Sequence, residues 1–300
     1  MSFVSFLLLN LMPGDPLDSF IRINPDLKSE DIQKLRESLS LDKPITTRYL
    51  IWIKSLLAGG DLGYSRSYSR PVLDILKPRI ANSFILMTTS IVLSLILSLT
   101  SVFLYAVKRK KIINGFIDLI TTFGISAPTF WVGILLILIF SVNFKLLPAG
   151  GIGEGEYFSI FRDFKFLILP SLALIFFIQA YWTKYLIGSY SDISSKDFMK
   201  TARSKGLSEE RIFFTHGLKN LLIPIITLLV LYIPGIFGGA LVTESIFSWP
   251  GVGRLLYESI LGNDYNVAMV ILLIITFVTV LTTFLIDSFY RMVDPRLKAK

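Results

Sequence analysis

The chain has 300 residues, of which 53% are hydrophobic and 17% are charged, and its formal net charge is +8. This composition and a mean hydropathy of +0.64 exclude an ordinary soluble domain and predict an integral membrane protein. The chain contains no cysteine and only one histidine, His216, which excludes disulfides, thiolate metal sites and any catalytic or metal site that needs two imidazoles.

The first apolar run, residues 3–12, has about half of the roughly 20 residues that a membrane-spanning helix needs. Residues 1–12 can therefore form only part of a membrane-spanning helix. The sequence MPGDP at residues 12–16 then breaks the helix, because Pro13 and Pro16 lack a backbone N–H group.

Residues 13–79 mix charged residues with short apolar runs. Helical spacing of apolar residues predicts amphipathic helices over residues 31–39 and 49–57. The glycine-rich sequence of residues 59–67 predicts a turn-rich connection after them. We interpret residues 13–79 as an extracytoplasmic segment that packs on the membrane surface.

A long apolar run over residues 81–107 is about 40 Å long as a helix, which is enough to span a bilayer with some tilt. Four cations, Lys108, Arg109, Lys110 and Lys111, follow it directly. Such a cluster at the edge of a membrane span indicates the cytoplasmic side, so the other end of this helix is predicted to lie outside.

Two more spans follow. Residues 116–144 predict a third span that Pro128 kinks. Residues 148–157 predict a flexible external loop, and residues 166–187 predict the fourth span. Its inner end carries aromatic residues that suit the interface between membrane and water, namely Tyr181, Trp182 and Tyr185.

Residues 191–220 form a basic and polar segment between two apolar runs, so they cannot lie inside the bilayer. The spacing of residues 197–205 predicts a short helix that Gly206 ends, and Ser208 predicts the start of a second helix. So small a helix buries too little apolar surface to be stable alone, which favours contact with another chain. An ordinary cytoplasmic loop is the alternative.

Residues 221–242 predict a fifth span that small residues and proline interrupt, as in helices that line a cavity. Residues 243–267 then predict a turn and a short surface helix, and residues 268–290 predict the last span. Candidate residues of the pathway and its outer mouth are Pro234, Gly235, Gly238, Gly239, Glu244, Trp249, Pro250 and Gly251. For the turn, a purely structural role is the alternative to contact with a transported solute.

The sequence has no GxxxxGK[ST] motif, so the chain cannot build a phosphate-binding loop. Ion-coupled carriers commonly place ionisable residues in the middle of their spans. Here Asp118, Lys184 and Asp287 all lie near the predicted ends of spans. The pattern therefore favours an energy source on another chain over a stand-alone carrier.

Several motifs resemble one family. The sequence DFMKTARSKGL at residues 197–207, followed by HGLKNLLIP at residues 216–224, is similar to the coupling loop of permease subunits of bacterial dipeptide and oligopeptide ABC importers. Residues 12–16 and 243–267 resemble the same family. The broader importer family has Glu-Ala-Ala where Thr201, Ala202 and Arg203 stand here, a departure that resembles the peptide and nickel branch.

The resemblance implies an all-α membrane protein with the type I ABC importer permease fold, a polytopic bundle of about six transmembrane helices in the bacterial inner membrane. Compared with that family, residues 1–12 would be the end of a first transmembrane helix that is cut short. Residues 80–300 would form the permease core, with the coupling loop at residues 191–220. It implies ATP-driven import of peptides and no enzymatic activity in this chain. A nickel or other small-solute importer of the same branch, or an ion-coupled secondary carrier, remains the alternative.

The resemblance also implies partners: a second permease subunit, two cytoplasmic ATPases that hold ATP and Mg, and an extracytoplasmic solute-binding protein, with no nucleic acid. This chain itself would bind no cofactor or metal. The coupling helix would lie in a groove of an ATPase. Its polar anchors there would be Lys200, Arg203 and Lys205, and Ala202 would allow the helix to approach the ATPase closely. The full set of residues expected in the groove is Asp197, Lys200, Thr201, Ala202, Arg203, Lys205, Gly206 and Leu207.

Overall fold

The computed structural model describes residues 3–4, 6–7, 32–33, 36, 41–59 and 62–293, without the side chains of residues 57, 59 and 286–293. The predicted end of a first span, the break at residues 12–16 and the helix predicted over residues 31–39 lie mostly outside this part of the chain. So do the side chain of Asp287 and the end of the C-terminal tail.

The described part of residues 13–79 contains a helix and a small hairpin. Helix α1, Ile45–Gly59, includes the amphipathic helix predicted over residues 49–57. The predicted turn-rich connection leads into an antiparallel hairpin of β1, Tyr64–Ser65, and β2, Arg70–Pro71, which the sequence analysis did not foresee. Asp264 fixes the hairpin by accepting hydrogen bonds from the Ser65 hydroxyl and the Ser67 N–H.

The longest helix, α2, covers Val72–Lys108 and begins nine residues before the predicted apolar run. Its 37 residues span about 55 Å, which exceeds the roughly 30 Å of a bilayer core. Pro71 is the N-cap of the helix, and a helix of this length must extend beyond the bilayer core. The predicted boundary between residues 79 and 80 falls inside this helix.

The sequence predicts a third span that is one kinked helix, but the structure has two separate helices there. Helix α3, Lys111–Ser126, and helix α4, Thr129–Leu136, which continues as the π-helical segment π1, Ile137–Asn143, meet at an angle of 103°. Proline disfavours a helical conformation in the residue before it, and Ala127 is extended. Pro128 therefore breaks the helix completely instead of bending it.

Helix α5, Ile160–Ser194, is longer than the predicted fourth span and makes the largest contact of any helix with α2. The prediction that Trp182 lies at the membrane interface is wrong. Its side chain is fully buried and packs edge-on against Tyr232, whereas Tyr181 and Tyr185 are exposed. The sequence pattern thus predicted that these aromatic residues lie on a helix, but it did not predict which of them face the interior of the protein.

A polar connection leads to the last two long helices. It contains α6, Asp197–Ser204, and α7, Glu209–Ile212, which continues through the π-helical segment π2, Phe213–Gly217, into α8, Leu218–Gly238. Helix α8 passes through Pro234 without a break and ends at Gly239, whose φ of +70° suits glycine. The predicted interruption at residues 234–235 is therefore wrong.

Two short helices and the last long helix complete the chain: α9, Leu241–Ile246, α10, Val252–Leu261, and α11, Tyr265–Val293. Among the described residues, four helices are long and apolar enough to cross a membrane, and the bent pair α3–α4 would provide a fifth. The predicted all-helical, multi-pass architecture is thus confirmed, with the small hairpin as an addition.

Candidate functional site

Helix α6 begins at the residue that its sequence predicts and ends one residue earlier than predicted. It covers Asp197–Ser204, and Gly206 follows it with a φ of +76°, the left-handed conformation that commonly ends a helix at glycine. The Ser208 side chain then accepts a hydrogen bond from the N–H of Arg211 and caps α7. The predicted helix–turn–helix is confirmed, and its position at the membrane surface stays a prediction.

One face of α6 packs against its own chain. Met199 is fully buried and Ala202 is 4% exposed, and both belong to the core cluster that includes Tyr190 and Phe213. Leu207 also packs against this cluster. Ala202 is therefore placed to hold α6 onto the rest of the chain, and in this conformation it does not present a surface to another protein.

A chain of charges joins α6 to the end of α2. The Arg203 guanidinium donates to the Glu209 carboxylate at 2.9 Å and to the carbonyl of Ser194 at 3.1 Å. The same carboxylate accepts from Arg109, the residue after α2, at 3.2 Å. Each ion pair is partly exposed and contributes about 0–1 kcal/mol, so their main effect is geometric. Arg203 thus binds residues of its own chain and is not free to anchor another protein.

The opposite face of α6 is exposed. Phe198, Thr201 and Lys205 are exposed at positions i, i+3 and i+7, so they lie on one side of the helix. Lys200 pairs with Asp197 on the same exposed surface, at 3.0 Å. Another protein can contact this surface. We call residues 197, 198, 200, 201 and 205 the exposed face of α6.

At the end of the molecule that is predicted to face outward, Glu244 is fully buried. Its carboxyl group accepts hydrogen bonds from the Ser83 hydroxyl at 2.7 Å, the Arg254 N–H at 3.0 Å and the Ala240 N–H at 3.3 Å. Ser83 in turn accepts from the N–H of Val252 at 2.8 Å. The carboxyl group therefore joins the outer part of α2 to α9 and α10.

Asn82, beside Ser83 on α2, organises the rest of this junction. Its amide donates to the carbonyls of Glu156 and Pro250 and accepts from the N–H of Phe158. The buried Trp249 indole N–H donates to the backbone carbonyl of Asn82 at 3.2 Å. We call residues 82, 83, 244 and 249–252 the outer junction. The loop predicted to be flexible, residues 148–157, is held to it by these bonds.

The sequence indicated four residues of this region as candidates for the outer mouth, namely Glu244, Trp249, Pro250 and Gly251. It did not indicate Asn82 or Ser83. Their signal was a pair of polar residues at the start of an otherwise apolar run. Of the other pathway candidates, Gly239 lies against the Glu244 carboxyl group, and Gly238 lies against Ile275 on α11. Pro234 and Gly235 are partly exposed on α8. A role in lining a pathway remains a prediction for all of them.

Three glycines allow the close approach of backbone to Glu244. A Cβ atom would lie 2.5 Å from the carboxyl oxygen at Gly239, and 2.3 Å from the carboxyl carbon at Gly251. At Gly253 it would lie 2.7 Å from the backbone of Leu241. Buried backbone and a fixed side chain cannot yield at these distances, so the glycines are required by packing.

We therefore expect Gly251→Ala to destabilise the purified protein by about 1–3 kcal/mol, the usual cost of overpacking. The measurement is thermal unfolding in detergent. Gly188→Ala is the matched control, because a Cβ atom at this exposed helical position meets nothing within 4 Å. Equal melting temperatures for the two variants would show that the junction is not rigid.

The chain was compared with known proteins. Residues 90–299 match the family described as binding-protein-dependent transport system inner membrane component, and residues 1–86 match the N-terminal family of the same membrane components. An oligopeptide transport system permease protein of Bacillus subtilis, AppB, is 34% identical over 98% of this chain and 93% of its own length. A glutathione transport system permease protein of Escherichia coli K12, GsiC, is 32% identical over 100% and 94%.

Proposed function

The chain belongs to the family of binding-protein-dependent transport system inner membrane components, and from this membership we propose that it forms part of the path by which an ATP-driven importer moves peptides across the inner membrane. It is a multi-pass inner-membrane permease subunit. The observation that carries the proposal is α6, a cytoplasmic helix held firmly on one face and open to a partner on the other.

Peptides are the proposed cargo because the names of two similar proteins specify oligopeptide and glutathione transport, and glutathione is itself a tripeptide. Both relatives match along nearly all of this chain. A nickel or other small-solute importer of the same branch is the second candidate. An ion-coupled carrier is less well supported, since it offers no role for the exposed face of α6.

The proposed partners are two cytoplasmic ATPases that bind ATP and Mg, a second permease subunit and an extracytoplasmic solute-binding protein. In this proposal one ATPase contacts the exposed face of α6 through Phe198, Thr201 and Lys205. Ala202 and Arg203 have a different task, which is to keep α6 attached to the permease. The division follows from which side chains the protein leaves uncovered.

Helix α2 offers a route for the movement. Its cytoplasmic end is followed by Arg109, which pairs with Glu209 beside α6, and its outer part carries Asn82 and Ser83 of the outer junction. A push on α6 by closing ATPases would reach α2 through this ion-pair chain and through the packed core. Because α2 is one continuous helix, tilting it would move the outer junction and switch access between the two sides.

The test is uptake by the assembled complex in proteoliposomes. With the binding protein outside and ATP inside, labelled tri-alanine should accumulate, and non-hydrolysable ATP analogues should support no accumulation. Labelled Ni²⁺ with a nickel-binding partner protein tests the second candidate in the same vesicles. Accumulation driven by an imposed ion gradient without ATP would overturn the proposal and favour the carrier.

A further inference from the structure

A cavity of about 340 Å³ opens at the outer end of the molecule. Its walls come from the hairpin, the first turns of α2, the loop of residues 148–157 and the turn of residues 248–250. This volume lies in the range of about 300–1,000 Å³ that small-molecule sites occupy. Because the end of α2 at Lys108 is cytoplasmic, the cavity near its beginning faces outward.

The walls of the cavity are fixed by the outer junction. Asn82 donates to the carbonyl of Glu156 and to the carbonyl of Pro250, both of which are residues of the lining. One side chain of α2 therefore holds two walls at a constant separation. A site held in this way is preformed, which lowers the entropy cost of binding.

The cavity contains charges of both signs. Arg70 and Glu156 form an ion pair, with 46% and 54% of their side-chain surfaces exposed. The hydrogen bond from Arg70 holds the pKa of the Glu156 carboxyl group below its usual value, although desolvation opposes this. Arg79 also lines the cavity and is half-buried, but forms no ion pair with any residue that the structure describes.

Tyr68 does not supply the missing negative charge. Burial and a hydrogen bond from its hydroxyl to Glu258 raise the pKa of Tyr68 to about 12, so the hydroxyl stays neutral near pH 7. The charged lining residues are thus two arginines and one glutamate, which leaves one positive charge in excess. The charge of Arg79 helps to lower the pKa of the Glu156 carboxyl group, but among the described residues it is Arg70 that forms the ion pair with Glu156. Ile75, Pro78 and Ile152 add apolar surface.

We propose that this cavity binds the carboxylate end of a short peptide, with Arg79 as the carboxylate-binding residue and Glu156 near the ammonium end, before the peptide enters the permease. The inference rests on the proposed peptide transport. A lining that offers charges of both signs together with apolar side chains suits a zwitterionic peptide, whereas Glu156 would repel a phosphate or another multiply charged anion. The concave, preformed shape favours a small ligand over a protein surface.

The test uses the absence of cysteine from the chain. Ser248 lines the cavity, is exposed and already has a positive φ of 48°, so Ser248→Cys is a mild change that introduces one reactive thiol. In the full complex, tri-alanine should slow the reaction of this thiol with a maleimide, read on the band of this chain. Tri-alanine amide, which lacks the carboxylate, should not.

In the Ser248→Cys background, Arg79→Ala should raise the tri-alanine concentration needed for protection by about ten- to a hundred-fold, as expected for loss of a charge-assisted hydrogen bond. Lys77→Ala is the matched control. It removes one exposed cation two residues away that does not line the cavity, and should leave protection unchanged.

Equal protection by the acid and the amide, or undiminished protection in Arg79→Ala, would overturn the inference. Protection by the peptide-free binding protein, without any effect of tri-alanine, would assign the cavity to that partner and also overturn it. Labelling does not depend on transport. A complex that imports tri-alanine without protection of the thiol therefore refutes only this site, and protection without ATP-dependent uptake refutes only the proposed function.

Discussion

Replacing Thr201 by glutamate is expected to separate the permease from its ATPases while leaving the permease folded. Thr201 is exposed at the centre of the exposed face of α6, and the one hydrogen bond of its side chain goes to the carbonyl of Asp197 in the same helix. The substitution therefore breaks no contact with the rest of the chain. An unpaired carboxylate buried in an interface costs about 2–5 kcal/mol, so binding should fall by more than about tenfold.

The measurement is the amount of ATPase that co-purifies with tagged permease, together with ATP-dependent uptake of tri-alanine. Ser191→Glu is the matched control, since it also replaces an exposed hydroxyl by a carboxylate in the cytoplasmic segment but lies outside α6. It should retain the ATPases. Normal recovery of ATPase with Thr201→Glu would show that the exposed face of α6 is not the docking surface.

Ala202→Glu should prevent folding, whereas Thr201→Glu at the neighbouring residue should not. Ala202 is 4% exposed and lies in the core cluster with Met199, so a carboxylate there would be buried without a partner. We expect little folded protein, measured as the monodisperse fraction in detergent. Equal yields of the Ala202→Glu and Thr201→Glu permeases would contradict the assignment of the two faces of α6.

Features set by neighbouring residues could be predicted from the sequence. The end of α6 at Gly206 and the cap at Ser208 depend on local backbone geometry, and both appear where expected. The apolar runs likewise located the long helices, because each must present a continuous apolar surface to the membrane. Local signals and the membrane thus determine most of the helical architecture.

Features set by contacts between distant residues could not be predicted. Trp182 is buried because α8 brings Tyr232 against it, and no pattern near residue 182 reveals this. Similarly, Ser83 and Glu244 are separated by 161 residues, yet they share a hydrogen bond. The sequence marked Glu244 as part of an unusual stretch, but only the fold shows that its side chain is buried between helices.

Replacing Glu244 by alanine should then cause the largest loss of stability among the changes considered at the outer junction. Three donors, the Ser83 hydroxyl and the N–H groups of Arg254 and Ala240, would lose their acceptor inside the protein. Unsatisfied buried donors cost about 1–3 kcal/mol each before relaxation, so we expect a total of about 3–5 kcal/mol. The measurement is the thermal unfolding midpoint of the purified permease in detergent.

Glu154→Ala provides the control, because Glu154 is an exposed carboxylate in the neighbouring loop and its removal should change stability by less than about 0.5 kcal/mol. Ser83→Ala removes one donor and should cost less than Glu244→Ala. The double variant should cost less than the sum of the two single changes, since both remove the same hydrogen bond. Strictly additive effects would mean that Ser83 and Glu244 act independently, and the outer junction would not be the single unit through which α2 holds α9 and α10.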